Sequence, residues 1–138
     1  MKTLVQSRFA DPAFVLGRDE NPLVAGLVRP YCSGHHERLL LLSLDGADRL
    51  IATGESREAN RARAILTPAM VRAAVATPPG GWILLAHNHP SGDARPSRED
   101  IALTRQMSVL CQLAAIRLHD HLILTPDGHF SFRAAGLV

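Results

Sequence analysis

The chain has 138 residues, of which 46% are hydrophobic, and its formal net charge is +2. This length supports one domain with a sizeable core but not two ordinary domains, and the apolar content is typical of a globular protein. So small an excess of charge gives no reason to expect nucleic acid as a partner.

No apolar run approaches the roughly 20 residues that a membrane-spanning helix needs. The N-terminus also lacks the apolar core and the cleavage site of a signal peptide. The two cysteines, Cys32 and Cys111, lie far apart and in no metal-type pair. Together these features predict a protein of the reducing cytoplasm.

The N-terminal segment, residues 1–20, shows no regular pattern, and we expect an arm with little fixed structure. Residues 21–138 are predicted to form the domain. Asn21-Pro22 predicts a helix start, because Asn is a good N-cap and Pro fits the first helical position. Ser33-Gly34 predicts the end of that helix.

A β-hairpin is predicted next. Residues 37–44 form an apolar run of strand length, Asp45-Gly46 predicts a turn, and residues 49–54 are typical of the returning strand. Residues 55–66 are polar and rich in arginine, so we expect a loop there.

The second half of the chain alternates helices and strands. Thr67-Pro68 predicts the cap of a short helix, and residues 82–86 predict a buried strand. Ser97 is predicted to cap an amphipathic helix that ends near residue 115. Residues 116–125 and 129–132 predict two further strands. This alternation indicates the α/β class, with a single mixed β-sheet flanked by helices.

The stretch from residue 87 to residue 100 reads HNHPSGDARPSRED and contains three candidate metal ligands. His87 and His89 follow the buried strand, where residues two apart point to the same side. Asp100 lies in the first turn of the next helix and can face back toward them. Two imidazoles and one carboxylate form a catalytic zinc set whose fourth position is left to water. The pattern therefore predicts an open zinc site.

Chemistry at such a site also needs a carboxylate that carries a proton. Glu55, at the end of the predicted hairpin, is the favoured candidate, and Glu37, Glu58 and Glu99 compete with it. Ser97 is predicted to stabilise a developing oxyanion, and Asp120 is the candidate that orients a ligating histidine through a hydrogen bond.

Simpler structural roles exist for the same residues. Ser97 and Asp100 fit a helix cap with an acidic first turn. His119 and His121 flank Asp120 and are expected to share a strand face, either as hydrogen-bonded residues or as a second ligand pair. These roles do not explain why two same-face histidines precede the cap by so short a loop, so the metal interpretation is preferred.

The spacing His87-x-His89, seven residues, Ser97, two residues, Asp100 matches the JAMM (MPN+) metalloprotease motif, His-x-His-x7-Ser-x2-Asp with an upstream Glu. The segments LAHNHPSGDARPSREDIALT and DHLIL resemble the RadC family of bacterial JAB-domain proteins. The resemblance runs from about Glu37 to Phe132.

This resemblance implies the MPN/JAB (cytidine deaminase-like) three-layer architecture. It implies one Zn²⁺ held by His87, His89 and Asp100, with Glu55 as general acid/base and Ser97 stabilising the tetrahedral intermediate. Family members of known chemistry cleave amide or isopeptide bonds, so the implied partner is a peptide or protein substrate in the bacterial cytoplasm. Neither nucleic acid nor a membrane is implied as a partner, and the oligomeric state, including a homodimer, stays open.

The sequence departs from the family pattern in two places. RadC-like chains follow the glutamate with Arg-Gly-Thr and later have Pro-Arg-Glu, whereas this chain has residues 56–60 SREAN and residues 68–70 PAM. Residues 1–30 do not match the helix-hairpin-helix domain of full-length members.

Three functional hypotheses follow. The first is a zinc-dependent hydrolase of JAMM type. The alternative is an MPN-type module that interacts with protein or nucleic acid and holds a non-catalytic metal. A phosphoesterase ranks last, because two-metal sites are commoner for that chemistry.

Overall fold

A computed structural model describes residues 12–56 and 66–138. Its strands form one sheet in the order β1-β6-β5-β4-β2-β3. Only β4 and β5 are parallel, and the other neighbours pair antiparallel. The strands are β1 (Phe14–Leu16), β2 (Leu39–Leu44), β3 (Leu50–Ser56), β4 (Trp82–Asn88), β5 (Arg117–Thr125) and β6 (Gly128–Ser131). This mixed sheet confirms the predicted α/β class.

The described residues contain three helices in addition to a 3₁₀ turn at Gly17–Asp19. Helix α1 is a π-helical turn, Val24–Val28, continued by Arg29–Tyr31; α2 is Pro68–Ala76 and α3 is Arg98–Leu113. The predicted caps are present. The side chains of Asn21, Thr67 and Ser97 accept hydrogen bonds from the third backbone N–H beyond each of them.

The sheet is covered by helices on both faces. Leu41 and Ile83 pack with Met107 of α3 in the cluster that also includes α2. Leu42 and Leu84 pack with Val28 of α1 on the opposite face. We refer to these as the α2/α3 face and the α1 face. The three layers agree with the architecture that the resemblance implied.

Two strands run further than the sequence predicted. β3 continues through Glu55 and Ser56, and β4 continues through His87 and Asn88. The first motif histidine therefore lies inside a strand, where backbone pairing fixes its direction. Residues 57–65 of the predicted arginine-rich loop lie outside the described residues.

The second half of the predicted N-terminal arm is part of the fold. β1 adds an edge strand by pairing with β6, and Gly17 donates a backbone hydrogen bond to the carbonyl of Asp127. Residues 1–11 lie outside the described residues. Among the helices that the structure describes, none combines the length and the apolar character needed to cross a membrane.

Glu20 anchors this segment through a buried charge cluster. Its carboxylate accepts hydrogen bonds from Arg29 Nε and Nη2, both at 2.6 Å, and from His129 Nδ1 at 2.6 Å. Arg29 Nη1 also donates to the carbonyl of Thr125 at 2.8 Å. The cluster therefore connects α1 to the β5–β6 hairpin.

β5 contains a bulge at His119. Leu118 pairs with Ile83 and Asp120 pairs with Leu84, so one residue of β5 has no counterpart on β4. A bulge of this kind reverses the alternation of side chains beyond it. As a result, His121 pairs with Leu85 and lies on the α2/α3 face, whereas Asp120 lies on the other face.

Candidate metal centre

The end of β4 and the first turn of α3 bring the three predicted ligands together. His87 Nε2 and His89 Nε2 are 3.0 Å apart. Asp100 Oδ1 lies 3.1 Å from His87 Nε2, and Asp100 Oδ2 lies 3.2 Å from His89 Nε2. Each residue thus directs one potential ligand atom to the same point, as the spacing predicted.

The cluster is buried on one side and accessible on the other. The side chains of His87 and Asp100 are 2% and 5% exposed, whereas that of His89 is 13% exposed. Burial alone would raise the pKa of Asp100, but its close contacts with the two histidines hold it far below its ordinary value. The carboxylate therefore remains charged throughout the neutral range.

The pKa of His89 is raised from its ordinary value. Burial lowers it, but the hydrogen bonds to Asp100 and to the Asp93 carbonyl outweigh burial, and the charges of Asp100 and Glu37 add to them. The site therefore attracts a cation to Nε2 of His89. A proton and a metal ion compete for that position.

Asp100 also caps its own helix. Its Oδ2 accepts a hydrogen bond from the backbone N–H of Ser97 at 2.8 Å, and its N–H donates to Ser97 Oγ at 3.0 Å. The cap and the ligand role are compatible, because the capping box fixes the direction of the carboxylate. Ser97 lies beside the cluster for the same reason.

The loop after β4 fixes the protonation of His89. Its Nδ1 lies 2.7 Å from the backbone carbonyl oxygen of Asp93. A carbonyl oxygen can only accept, so the proton of the neutral ring is on Nδ1. Nε2 is then left with a lone pair directed at the cluster.

His87 is oriented by a buried histidine. His87 Nδ1 lies 2.8 Å from His121 Nε2, and His121 Nδ1 lies 2.6 Å from Thr104 Oγ1. His121 is fully buried and stacks on Phe132 with ring centroids 4.5 Å apart. From the sequence, His121 was expected only as a hydrogen-bonded residue or as part of a second ligand pair, and no local pattern pointed to Thr104.

Asp120 does not take the orienting role that was predicted for it. Its carboxylate accepts hydrogen bonds from the N–H of His121, the N–H of Arg133 and the hydroxyl of Ser131. These contacts fix the turn after β6 rather than a ligand. The physical reason is the bulge at His119, which places Asp120 and the ligands on opposite faces.

The same bulge separates His119 from His121. The ring of His119 lies 4.8 Å from the indole of Trp82, which packs toward the α1 face. His121 contacts His87 on the α2/α3 face. The expectation that the two histidines share a face is therefore wrong, and they form no second ligand pair.

Glu55 lies in the edge strand β3 and is exposed. It pairs with Leu40, which in turn pairs with Ala86 of β4. Paired residues share a face and successive residues alternate. Glu55 therefore projects from the α1 face, with Leu40 and Ala86, whereas His87 projects from the other face.

Glu37 lies two residues before the start of β2. Leu39 pairs with His87 at the end of the antiparallel ladder, so the chain before Leu39 runs toward His89, which follows β4. The charge of Glu37 is one of those that raise the pKa of His89. Of the two remaining candidate glutamates, Glu99 is exposed in α3, and Glu58 lies outside the described residues.

Asn88 holds the backbone on both sides of Glu37. Its Oδ1 accepts a hydrogen bond from the N–H of Arg38 at 2.7 Å, and its Nδ2 donates to the carbonyl of His36 at 2.9 Å. Asn88 is 3% exposed. Asn88 lies between His87 and His89 in the sequence, so these two hydrogen bonds set the position of Glu37 relative to His89.

The donor set fits a divalent metal ion. With Nδ1 of His89 protonated, the lone pair on its Nε2 faces the Asp100 carboxylate at 3.2 Å, and the two repel unless a cation lies between them. Neutral imidazoles and a carboxylate are ligands that Zn²⁺ accepts. The fold is a three-layer α/β domain, and the cluster fits a metal site of JAMM type.

The model of the RadC-like JAB domain family matches residues 20–137. The chain therefore belongs to the RadC-like JAB domain family. That match includes the complete cluster and all but one strand of the sheet.

Relatives in several bacteria carry the name UPF0758 protein, which states no activity. The chain is 34% identical to that of Syntrophotalea carbinolica over 102 residues, which are 74% of this chain and 45% of the relative. It is 39% identical to that of Bordetella avium over 116 residues, covering 80% and 52%. The chain thus spans about half the length of the curated relatives it matches.

Proposed function

We propose that this domain is a zinc-dependent hydrolase of JAMM type that cleaves amide or isopeptide bonds in peptides or proteins. The observation that supports it best is the convergence of His87 Nε2, His89 Nε2 and the Asp100 carboxylate. The partial exposure of His89 gives a substrate a side from which to approach. Both cysteines are free, which supports the cytoplasm as the compartment.

His87, His89 and Asp100 would hold the ion. A bound Zn²⁺ polarises a carbonyl group and lowers the pKa of a coordinated water to roughly 7. The Ser97–Asp100 cap and the Asp93 carbonyl hold two of the three ligands in place before the ion arrives. Such preorganisation favours chemistry at the ion.

Glu37 is the carboxylate that we propose as proton carrier, in place of Glu55. It lies two residues before the strand that pairs with His87, and its charge contributes to the raised pKa of His89. The role requires the carboxylate to accept a proton from the attacking water and to deliver it to the leaving nitrogen. Glu55 projects from the other face of the sheet and has no comparable path in this structure.

Ser97 is the proposed donor to the oxyanion. Its Oγ accepts the N–H of Asp100, so its hydroxyl hydrogen can be donated elsewhere. A hydroxyl in this position can donate to the oxygen of a tetrahedral intermediate as negative charge develops.

The test compares matched variants of the zinc-loaded protein on a library of peptides and isopeptide-linked conjugates. We expect Glu37→Gln to reduce turnover at least about 100-fold while zinc affinity changes little. Glu55→Gln is the matched control and is expected to retain turnover. The reverse pattern would return the proton-carrying role to Glu55.

A different result would contradict the hydrolase itself. If the wild-type protein binds zinc tightly but cleaves no amide bond in the library, the interaction module becomes the better function. Phosphate-driven binding of single-stranded or duplex DNA, which must weaken steeply with salt, would then identify a nucleic-acid partner.

A further inference from the structure

We infer that Thr104 and His121 act as positioning residues that fix the proton of His87 on Nδ1, so that its Nε2 lone pair is available to the ion. Neither residue is a ligand, and both lie beyond the motif. The inference does not depend on the hydrolytic activity, because it concerns only how the metal site is formed.

The first step is the hydroxyl of Thr104, which has a single hydrogen. Thr104 Oγ1 lies 2.7 Å from the backbone carbonyl of Asp100 and 2.6 Å from His121 Nδ1. The carbonyl oxygen can only accept, so the hydroxyl donates to it. Oγ1 must then accept a hydrogen bond from Nδ1–H of His121.

The second step is the protonation of His121. Its side chain is fully buried, and its ring stacks on Phe132. A neutral ring in that position carries one proton, and Thr104 holds that proton on Nδ1. His121 Nε2 is therefore an acceptor.

The third step transfers the constraint to His87. Its Nδ1 faces the acceptor His121 Nε2 at 2.8 Å and must donate to it. Nε2 of His87 then carries no hydrogen. This leaves it as a lone-pair donor beside His89 Nε2 and the Asp100 carboxylate.

The opposite assignment conflicts with the cluster. If Thr104 donated to His121, the two histidines would both be protonated on Nε2, and a hydrogen of His87 would occupy the position of the ion. The backbone of α3 prevents this assignment, because the carbonyl of Asp100, one helical turn earlier, accepts the only hydrogen of the Thr104 hydroxyl. The same turn thus supplies one ligand and orients another.

The test uses two substitutions of similar size. Thr104→Val keeps the shape and removes the hydroxyl, whereas Thr104→Ser keeps the hydroxyl. Zinc affinity is measured by competition with a chromophoric chelator. Loss of such outer contacts weakens metal binding about 10–100-fold, so we expect that loss for Thr104→Val and an affinity within about threefold of wild type for Thr104→Ser.

A second measurement reads the proton directly. In the metal-free wild-type protein, at alkaline pH where imidazoles are neutral, ¹⁵N chemical shifts should show His87 protonated on Nδ1 and unprotonated on Nε2. Thr104→Ser should give the same spectrum, and Thr104→Val should show a mixture of the two forms.

Two results would overturn the inference. One is a Thr104→Val protein that binds zinc as tightly as wild type. The other is a wild-type spectrum with the His87 proton on Nε2, which needs no variant and is informative even if Thr104→Val folds poorly. Neither measurement involves substrate turnover, so both remain valid if the proposed hydrolase activity is absent.

Discussion

Glu20 and Asp100 are both buried carboxylates in contact with histidine, but their surroundings differ in charge. The guanidinium of Arg29 contacts both oxygens of Glu20, and His129 donates to one of them. Asp100 contacts two imidazoles and the Ser97 backbone, and no arginine contact to it is present among the described residues. The Glu20 cluster therefore contains its own cation, whereas the Asp100 cluster lacks one.

This difference separates a structural cluster from a binding site. In the Glu20 cluster the carboxylate already accepts hydrogen bonds from Arg29 and His129, so no further cation is needed to complete it. In the Asp100 cluster the ligand atoms are all acceptors once Nδ1 of each ring is protonated. The residue types are similar in the two places, and the direction of the ring nitrogens decides the role.

The largest expected effect is the loss of metal binding in Asp100→Asn. The amide oxygen can still accept the Ser97 N–H, so the helix cap is kept, but the anionic ligand is lost. Because outer contacts alone change affinity about 10–100-fold, we expect a direct ligand to change zinc affinity about 1,000-fold, or ~4 kcal/mol. Chelator competition measures this, with Glu20→Gln as the control that should bind as wild type.

Glu20→Gln is expected to have the complementary effect. It leaves Arg29 without its charged partner, and breaking such a buried pair lowers the free energy of unfolding by roughly 3 kcal/mol. Urea denaturation of the metal-free protein measures the loss. A double variant, Glu20→Leu with Arg29→Met, should recover much of it, because paired apolar residues often replace a buried ion pair without loss.

Acid should affect the two clusters in different pH ranges. Because the pKa of His89 is raised, protons begin to compete with zinc at a pH above the ordinary imidazole value of 6.5. Below the pH at which this competition begins, zinc affinity should fall about tenfold per pH unit for each ring nitrogen that binds a proton. Titration of zinc affinity against pH measures this. Glu37→Gln should move the onset to lower pH, and an unchanged onset would contradict the placement of Glu37.

The Glu20 cluster is expected to respond only at lower pH. Burial raises the pKa of Glu20, but the hydrogen bonds to Arg29 and His129 outweigh burial and lower it below 4.5. A lowered folded pKa stabilises the protein above the unfolded value, and that stabilisation is lost as pH falls through the folded value. Metal binding should thus fail in a range where the fold is intact.

Asn88→Ala has the smallest expected effect. Losing its two hydrogen bonds should lower the free energy of unfolding by about 1–2 kcal/mol, and the amide of Arg38 should exchange faster with solvent. Zinc affinity should stay within about threefold of wild type, because Asn88 touches no ligand side chain. Asn21→Ala is a suitable control. Loss of this N-cap should lower the free energy of unfolding by about 1 kcal/mol without changing solvent exchange at the Arg38 amide.

The parts of the fold that sequence could predict have local causes. Asn21, Thr67 and Ser97 each begin a helix through a contact within three residues along the chain. The ligand set was predictable for a similar reason, because a strand end and the following helix start are joined by one short loop. Such features are encoded in neighbouring residues.

Side-chain orientation in α3 was predicted less well, because apolar character alone does not fix which face a residue occupies. Leu113 is one of the apolar residues in the predicted amphipathic helix, but it is 84% exposed. Cys111 is buried at that end of the helix, in series with Leu103 and Met107. Those three residues follow the helical period, whereas Leu113 lies two positions beyond.

The proposed roles of Glu37 and His121 required information from distant strands. The position of Glu37 depends on the register between β2 and β4, and that of His121 depends on an unpaired residue in β5. Neither pairing has a local signal in the sequence. Asp120 was the predicted orienting residue, and the bulge places it on the opposite face from the candidate ligands.

His119 shows that this domain is sensitive to chain length at a single point in its sheet. Deleting this one residue would leave every metal-binding side chain in the sequence and yet put the segments before and after it out of phase, so either Leu118 leaves the core or His121 turns away from His87. An alignment that checks only the metal-site motif would still classify such a chain as intact. A homologue with a gap at position 119 is therefore expected to have lost either the packing of Leu118 or the contact between His121 and His87.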